Sequence, residues 1–333
     1  MADGSGQSEY WDTNLVAHKW IAAPRGPSSS FILNPSLNIV SVIPLRKVPF
    51  VVFLLVFGAI GLGRASAADP DPKDPNTWRW NDPRDLGIPG LRHGTIESAS
   101  MKRTVGFSIY LPPQYEKEPN RRFPVVYFLH GATGTESSDT GLARYVDAAI
   151  ASGRIAPVIY VFPNGGAGSY YRDWPENYVR AETMLVRELL PFVDQHYRTI
   201  DRSPSRGICG FSMGGSGAIR LVLKYPGLFC TAAALAGAID KAPEDFGGDN
   251  CYRHASALTQ KQRESLYLLM VIGGDDFLLP RQEPFLRHLK NLGIRYTYIV
   301  HSNVGHNLGK YTELSGQAMI EHMSSELSKG ENP

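Results

Sequence analysis

Ser212 is the residue whose sequence neighbours most strongly indicate chemistry. It is the centre of Gly210-Phe211-Ser212-Met213-Gly214, which fits the pattern Gly-x-Ser-x-Gly. An apolar run typical of a buried strand precedes the motif and a run typical of a helix follows it, the context in which such a serine is a nucleophile. The glycines leave room for a sharp turn, and a helix N-terminus favours negative charge on reacting oxygens. We therefore predict a nucleophilic Ser212, with a plain tight turn as the alternative.

A carboxylate is expected to follow the serine in the chain. A serine nucleophile needs a base that accepts its proton and an acid that orients the base. Asp275 and Asp276 both follow a predicted strand that ends at residue 272. We favour Asp276, because a tight turn at Gly273 and Gly274 would bring the fourth residue of the loop towards the edge of the sheet.

The base is predicted to be His306. It is preceded by Gly305 and lies in the loop after the last predicted strand, so it comes after both the serine and the acid. His301, at the end of that strand, is the alternative. The remaining histidines that we considered fall on a predicted helix or in polar segments and are weaker candidates.

Two backbone N–H groups should stabilise the negative charge that develops on the substrate oxygen. One is expected from the residue after the nucleophile, Met213. The other is expected from the loop that follows the strand ending at Leu129, and we predict the N–H of Ala132. His130, in the same loop, is expected to fix the loop by hydrogen bonding rather than to react.

The pattern of apolar runs predicts the elements that position these residues. Strand-like runs alternate with helical stripes from residue 94 onwards, which indicates an α/β fold with a mostly parallel sheet and helices on both faces. The predicted strands cover residues 94–99, 104–111, 123–129, 157–162, 231–238, 266–272 and 296–300. The predicted helices cover residues 142–151, 182–197, 284–292 and 315–327, and residues 239–265 are expected to form a polar excursion.

The first 67 residues resemble a leader rather than part of the fold. Arg46 and Lys47 precede an apolar stretch, 48–63, and Ala65-Ser66-Ala67 fits a small-x-small cleavage pattern. The stretch is shorter than the roughly 20 residues of a transmembrane helix. We expect a signal-like segment at 46–67, a Pro-rich linker or arm at 68–92 and a catalytic domain at 93–330. Export to the periplasm or medium follows, with no stable membrane span after cleavage; an uncleaved N-terminal anchor is the alternative.

Composition excludes some classes of function. The 333 residues are 43% hydrophobic and 20% charged with a net charge of +2, and no basic run suggests a nucleic-acid partner. The three cysteines, Cys209, Cys230 and Cys251, have no spacing typical of a metal site. Burial as small apolar side chains is expected for Cys209 and Cys230, although an exported chain could form one disulfide.

Several further segments, taken together with the serine motif, resemble the "Putative esterase" family, which includes esterase D, feruloyl and acetyl-xylan esterases and the antigen 85 mycolyltransferases. The segments that carry the resemblance are 124–131, 160–165, 170–174, 188–193, 210–215, 274–277 and 305–306. The resemblance implies an α/β-hydrolase fold, no cofactor and ester chemistry through an acyl-enzyme. It also supports Asp276, because the family's acid commonly precedes a Phe or similar residue, here Phe277.

The segment that contains Tyr171 and Trp174 is aromatic and irregular. We predict that these two residues form a wall for an aromatic or sugar-bearing substrate, with packing as the alternative role. The expected partner is a small-molecule or polysaccharide ester. The alternatives are an acyltransferase of the mycolyltransferase type and a non-catalytic binding module on the same fold, which would have lost one of the three catalytic side chains.

Overall fold

The computed structural model describes residues 71–329, apart from residue 72 and residues 175–178. The predicted leader, with its signal-like segment 46–67, and the start of the predicted arm therefore lie outside the described residues. Nothing in the structure bears on them.

The centre of the described chain is an eight-stranded, mostly parallel sheet with the order β1-β2-β4-β3-β7-β8-β9-β10. Strands β1 and β2 are antiparallel to their neighbours, and the other six run parallel. Its strands are β1 Leu91–Ser98, β2 Arg103–Tyr110, β3 Val125–Leu129, β4 Ile159–Pro163, β7 Arg206–Phe211, β8 Thr231–Leu235, β9 Tyr267–Gly273 and β10 Arg295–His301, while β5 Asp173–Trp174 and β6 Val179–Arg180 form a separate two-stranded ribbon. The six parallel strands end at one edge of the sheet, where such folds place their chemistry.

Helices cover both faces of the sheet. Alternate residues of each buried strand point to opposite faces, so Tyr127 packs with Ile219 of α5 in one core cluster, and Phe128 packs with Val146 of α2 in the other. The helices are α1 Gln114–Lys117, α2 Leu142–Ala151, α3 Ala181–Thr183, α4 Leu190–His196, α5 Met213–Lys224, α6 Cys251–Ala257, α7 Gln260–Ser265, α8 Leu279–Asn291 and α9 Leu308–Ser328. This arrangement confirms the predicted fold class.

Several predicted boundaries differ from the structure. The helix predicted at 182–197 is present from Ala181 to His196, and its turns widen at Met184–Leu189 between α3 and α4. Pro191, the second residue of α4, has no N–H for an ordinary helical hydrogen bond, which explains the local widening. Two helices, α6 and α7, occupy the segment predicted as a polar excursion, and the Thr259 capping box begins the second.

Residues of the predicted arm pack against the domain. Trp78 and Trp80 are buried in the larger core cluster, and both approach Gly166 after β4. No helix within the described ranges is long and apolar enough to cross a membrane.

Candidate active site

The nucleophile predicted from the sequence sits at a strained turn between β7 and α5. Ser212 has φ 53° and ψ −114°, a left-handed conformation that a non-glycine residue adopts only when its surroundings enforce it. Hydrogen bonds on both sides enforce it here: the Ser212 N–H donates to Leu235 O at 2.9 Å, and the Ala238 N–H donates to Ser212 O at 2.9 Å. A Cβ on Gly214 would lie 1.9 Å from Leu129 O, so the turn needs a glycine at that position.

Ser212, His306 and Asp276 lie in hydrogen-bond contact. His306 Nε2 is 2.9 Å from Ser212 Oγ, and His306 Nδ1 is 2.8 Å from Asp276 Oδ2. Because a carboxylate accepts hydrogen bonds, the neutral imidazole carries its proton on Nδ1 and presents Nε2 to the serine hydroxyl. This is the geometry of a base oriented by an acid.

The acid is held by two further donors. Tyr311 donates its hydroxyl to Asp276 Oδ2 at 2.7 Å, and the Leu278 N–H donates to Asp276 Oδ1 at 2.9 Å. The Tyr311 oxygen in turn accepts the Gly273 N–H at 2.8 Å. Burial, followed by the hydrogen bond to Asp276, raises the pKa of Tyr311, so the hydroxyl keeps its proton and remains a donor.

The two alternative residues lie outside this contact. Asp275 is exposed, and its N–H donates to Val304 O at 3.1 Å. His301 Nε2 is 2.6 Å from Ser315 Oγ on α9. Burial lowers the pKa of His301. The structure therefore favours Asp276 and His306 over these neighbours by geometry.

The two N–H groups predicted for the oxyanion hole flank the elbow. Met213 is the first residue of α5, where a backbone N–H has no intrahelical partner. Ala132 follows β3, the strand hydrogen-bonded to β7, and is exposed. Within the part of the chain that the structure describes, no acceptor takes either N–H group. Their role in stabilising an oxyanion stays a prediction.

His130 is fixed in the loop that carries Ala132. Its Nε2 accepts the Gly165 N–H at 3.0 Å, so Nδ1 carries the proton and donates to Gly131 O at 2.8 Å. Burial lowers the pKa of His130 to about 4, so the ring stays neutral. These contacts fit a residue that shapes the loop.

The two predicted substrate residues differ in accessibility. Trp174 is half-buried; its indole N–H donates to Ser169 O at 2.7 Å, and its ring packs edge-on against Phe246 at 6.0 Å. Tyr171 is fully buried, with its ring against Gly165 and Gly217. Tyr171 therefore serves as packing in this structure and lines no open surface, which differs from its predicted role.

Sequence reasoning did not single out three aromatic side chains at this edge of the sheet. Phe211 stacks on the His306 ring with centroids 4.8 Å apart, and Phe277, 69% exposed, lies 4.8 Å from the same ring. Phe246 is 44% exposed beside Trp174. Phe211 and Phe277 are chain neighbours of Ser212 and Asp276, a signal that could have identified them; Phe246 carried no such signal.

No group of three or more His, Cys, Asp or Glu side chains among residues 73–174 and 179–329 could hold a metal ion. The three cysteines are unpaired in the described fold, and Cys209 and Cys251 are buried. Burial raises the pKa of Cys230, which is half-buried, to about 12, so its thiol keeps its proton.

A serine at a strand-to-helix elbow, hydrogen-bonded to a histidine and a carboxylate at the carboxyl edge of this sheet, is the arrangement of α/β-hydrolase enzymes. Comparison with known proteins agrees with that class. A solved structure of a ferulic acid esterase is similar over 71% of this chain and 98% of its own, with a TM-score of 0.63 and 23% identity. At 23% identity this structural similarity shows a shared fold.

The family follows from the sequence. The model of the family described as "Putative esterase" matches residues 98–291, more than half of the chain, so the chain belongs to that family. This confirms the resemblance predicted from the sequence. The matched range contains Ser212 and Asp276 and ends before His306.

Two relatives illustrate the family. An esterase of Mycobacterium tuberculosis is 30% identical over 170 residues, which are 50% of this chain and 35% of that protein. An endo-1,4-beta-xylanase/feruloyl esterase of Xylanibacter ruminicola is 30% identical over 165 residues, 46% of this chain and 22% of that protein. The chain thus spans about a third or less of the length of these relatives.

Proposed function

We propose that the chain is a secreted serine carboxylic-ester hydrolase that works through Ser212, His306 and Asp276. The observation that supports this proposal best is the unbroken series of hydrogen bonds from the serine hydroxyl through the imidazole to the buried acid. A non-catalytic binding module would be expected to lack one of these side chains. All three are present and in contact.

The geometry suggests the following course. Ser212 Oγ attacks the ester carbonyl carbon while His306 Nε2 takes the hydroxyl proton, and Asp276 stabilises the imidazolium that forms. The tetrahedral oxyanion accepts hydrogen bonds from the N–H groups of Ala132 and Met213. His306 then gives its proton to the leaving alcohol, which leaves an acyl-enzyme. Water attacks this ester while His306 takes one of its protons. His306 then returns that proton to Ser212 Oγ as the bond between the acyl carbon and Oγ breaks, which releases the acid and the free serine.

We propose feruloyl or acetyl esters of polysaccharides as substrates. An aromatic cluster of Tyr170, Trp174 and Phe246 supports a planar or sugar-bearing substrate. The Phe246 ring centroid lies 6.2 Å from that of Tyr170 and 6.0 Å from that of Trp174. All three side chains are half-buried or exposed. The cluster joins segments that follow β4 and β8, strands on either side of β3 and β7 in the sheet. Both segments therefore leave the sheet at the edge where β7 leads into Ser212. The name of the Xylanibacter relative supports the feruloyl choice.

The decisive test is hydrolysis of short nitrophenyl esters by the full chain and by Ser212→Ala. We expect the wild type to turn over and the variant to lose about 10,000-fold or more of kcat/KM, since the nucleophile is gone. Equal activity of both proteins would overturn the role of Ser212. If neither protein is active on nitrophenyl, feruloyl or acetyl esters, the proposed activity is wrong.

The substrate class is tested with Trp174→Ala and Phe246→Ala on feruloylated and acetylated oligosaccharides, with a methyl ester as the matched small substrate. We expect kcat/KM to fall about 5-fold on the oligosaccharides and little on the methyl ester, since a stacking contact contributes about 1 kcal/mol. Unchanged values on all substrates would end the role of the aromatic cluster. Transfer of most of the acyl group to an added sugar would favour an acyltransferase.

Secretion is tested by expressing the full chain with a C-terminal tag and sequencing the N-terminus of protein recovered outside the cytoplasm. We expect cleavage after Ala67, where the small-x-small pattern ends. Uncleaved protein in the membrane fraction would support the anchor instead. Cytoplasmic protein alone would contradict export.

A further inference from the structure

The N-terminal arm, residues 73–90, reaches the loop that carries Ala132. The arm lies outside the range that matches the family, 98–291. Its Asp82 is buried, and the Asp82 N–H donates to Glu136 Oε1 at 2.5 Å. Thr135 Oγ1 donates to Asp82 Oδ2 at 2.6 Å, and Ser137 Oγ donates to Asp82 O. Three consecutive loop residues are thus tied to one residue of the arm.

Glu136 is the centre of these contacts. Its side chain has no solvent exposure, and it accepts three hydrogen bonds from three separate segments of the chain. Besides the Asp82 N–H, these come from His93 Nε2 on β1 at 3.1 Å and from Asn164 Nδ2 after β4 at 2.6 Å. A buried carboxylate keeps a single position only while its acceptor sites are filled, so the arm completes the set that fixes Glu136.

The contacts continue along the loop to Ala132. The Thr133 N–H donates to Ala167 O at 2.8 Å, and the Gly134 N–H donates to Gly131 O at 3.1 Å. Residues 131–133 therefore form a short span between His130, which is fixed by Gly165, and the segment 135–137, which is fixed by the arm. The fixed positions of His130 and of the segment 135–137 therefore limit the directions in which the Ala132 N–H can point.

Two arginines of the arm itself hold the Asp82 carboxylate. Asp82 Oδ2 accepts Arg84 Nε at 2.8 Å, and Asp82 Oδ1 accepts Arg79 Nη1 at 3.3 Å. Burial alone would raise the pKa of Asp82, but the hydrogen bonds from Arg84 and Thr135 and the two arginine charges lower it below its usual value. Asp82 is therefore charged at neutral pH and binds the arm to Thr135 as a carboxylate.

We propose that Glu136, completed by Asp82 of the N-terminal arm, is a positioning residue for the oxyanion donor Ala132. The proposal rests on the proposed esterase function. It assigns the arm a part in transition-state stabilisation. The arm would act on the step in which negative charge develops and not on binding of the uncharged ester.

The test compares Glu136→Gln and Asp82→Asn in the full chain with Asp74→Asn as the matched control. Asp74 lies in the same arm, and its carboxylate accepts hydrogen bonds from the neighbouring Asn76 of that arm. Glu136→Gln is isosteric but presents an amide NH₂ to one of three donors. Asp82→Asn keeps both backbone contacts, removes the charge and replaces one acceptor oxygen with an amide NH₂. Each variant is assayed well below its unfolding temperature, with folding checked by circular dichroism.

We expect kcat to fall about 10- to 100-fold in Glu136→Gln and less in Asp82→Asn, with KM for a short nitrophenyl ester almost unchanged. Loss of one oxyanion donor lowers the rate about 100- to 1,000-fold, and displacement of the Ala132 N–H would cost part of that. The inhibition constant of a trifluoromethyl ketone, whose adduct with Ser212 carries an oxyanion, should rise by the same factor. A role confined to stability would lower the unfolding temperature and leave both quantities unchanged.

The outcomes are separable. Wild-type kinetics in Glu136→Gln and Asp82→Asn would overturn the inference while the esterase proposal stands. Equal losses in Asp82→Asn and Asp74→Asn would also overturn it, since the effect would then belong to charge on the arm in general. If Glu136→Gln does not fold, the comparison of Asp82→Asn with Asp74→Asn decides. Failure of the esterase proposal itself would appear as Ser212-independent activity or none.

Discussion

At the scale of single residues, His306 is held by its ring faces as well as by its nitrogens. Phe211 stacks on one side at an interplanar angle of 29°, and Phe277 packs at 55° with its centroid 4.8 Å away. Aromatic faces attract cations, and in the proposed mechanism the imidazole becomes a cation when Ser212 attacks. We therefore expect the two rings to restrict the imidazole and to stabilise the imidazolium that forms in that step.

This arrangement predicts the effect of truncating Phe277. In Phe277→Ala we expect kcat for a short ester to fall about 3- to 10-fold, because a cation–π contact at an exposed site contributes about 0.5–1 kcal/mol and the ring also orients the base. Phe277→Tyr should keep the wild-type kcat and Phe277→Leu should not. The control is Tyr145→Ala, which truncates a similarly accessible aromatic, 44% exposed, on α2.

The measurement is steady-state kinetics with a substrate too small to reach the cluster at Trp174. Equal activity of Phe277→Leu and Phe277→Tyr would show that bulk alone matters. A change in KM without a change in kcat would instead indicate that Phe277 binds substrate. Either result would contradict a role in stabilising the imidazolium.

At the scale of elements, the elbow depends on close contact between α5 and β3. Gly214, in the first turn of α5, has room for no side chain, since a Cβ would lie 1.9 Å from Leu129 O and 2.6 Å from His130 O. Both neighbours are backbone atoms, at the last residue of β3 and the residue after it, where the loop that carries Ala132 begins. A larger residue must therefore separate the helix from the strand.

We predict that Gly214→Ala destabilises the fold by about 1–3 kcal/mol, the usual cost of an added methyl group in a tightly packed core, and abolishes most of the esterase activity. Gly227→Ala is the control, because nothing lies within 4 Å of a Cβ there. Urea unfolding measures the free energy of each variant. A Gly214→Ala protein as stable and active as Gly227→Ala would refute the close contact.

Elements were predictable from sequence where the signal is local. Each buried strand predicted from an apolar run is present, although β8 ends at Leu235 rather than at residue 238, beside Ala236 with φ 46°. Helix starts were harder, since α8 begins at Leu279 and α9 at Leu308, both ahead of their predicted starts. Asn307 caps α9 directly after His306, and the residues that follow it have no apolar periodicity that would distinguish this first turn from a loop.

At the scale of the whole molecule, the order Ser212, Asp276, His306 predicted which side chains meet. The contacts that support them could not be predicted in the same way, because their members are far apart in the chain. Asp249 receives ion pairs from Arg172, Arg220 and Lys224, which joins the segment after β4 to α5. The charges of these residues and their spacing in the sequence do not show which of them form ion pairs.

The pH dependence of stability also belongs to the whole molecule, since it sums groups that titrate differently in the folded and unfolded chain. Burial lowers the pKa of His130 to about 4, against about 6.5 in an unfolded chain. Between these values the unfolded chain binds a proton that the folded chain does not. The free energy of unfolding should therefore fall as the pH decreases from about 6.5 to about 4.

Asp139 opposes this trend. Burial raises its pKa to about 7, so between about pH 4 and 7 the folded chain holds a proton that the unfolded chain has released. This contribution increases the free energy of unfolding as the pH decreases. The wild-type profile is the difference of the two effects, and single variants separate them.

We predict that the stability difference between the wild type and His130→Asn is larger at pH 7 than at pH 4.5, by up to about 3 kcal/mol, the linkage value of a shift from 6.5 to about 4. Asp139→Asn should lose stability more steeply than the wild type on acidification, because the opposing carboxyl is gone. Urea unfolding at both pH values measures each difference. Parallel profiles for all three proteins would mean that neither group is buried as the structure has it. If only Asp139→Asn differs from the wild-type profile, His130 is protonated near neutral pH in the folded protein. The loop that carries Ala132 would then lose the hydrogen bond from the Gly165 N–H to His130, which is 3.0 Å long.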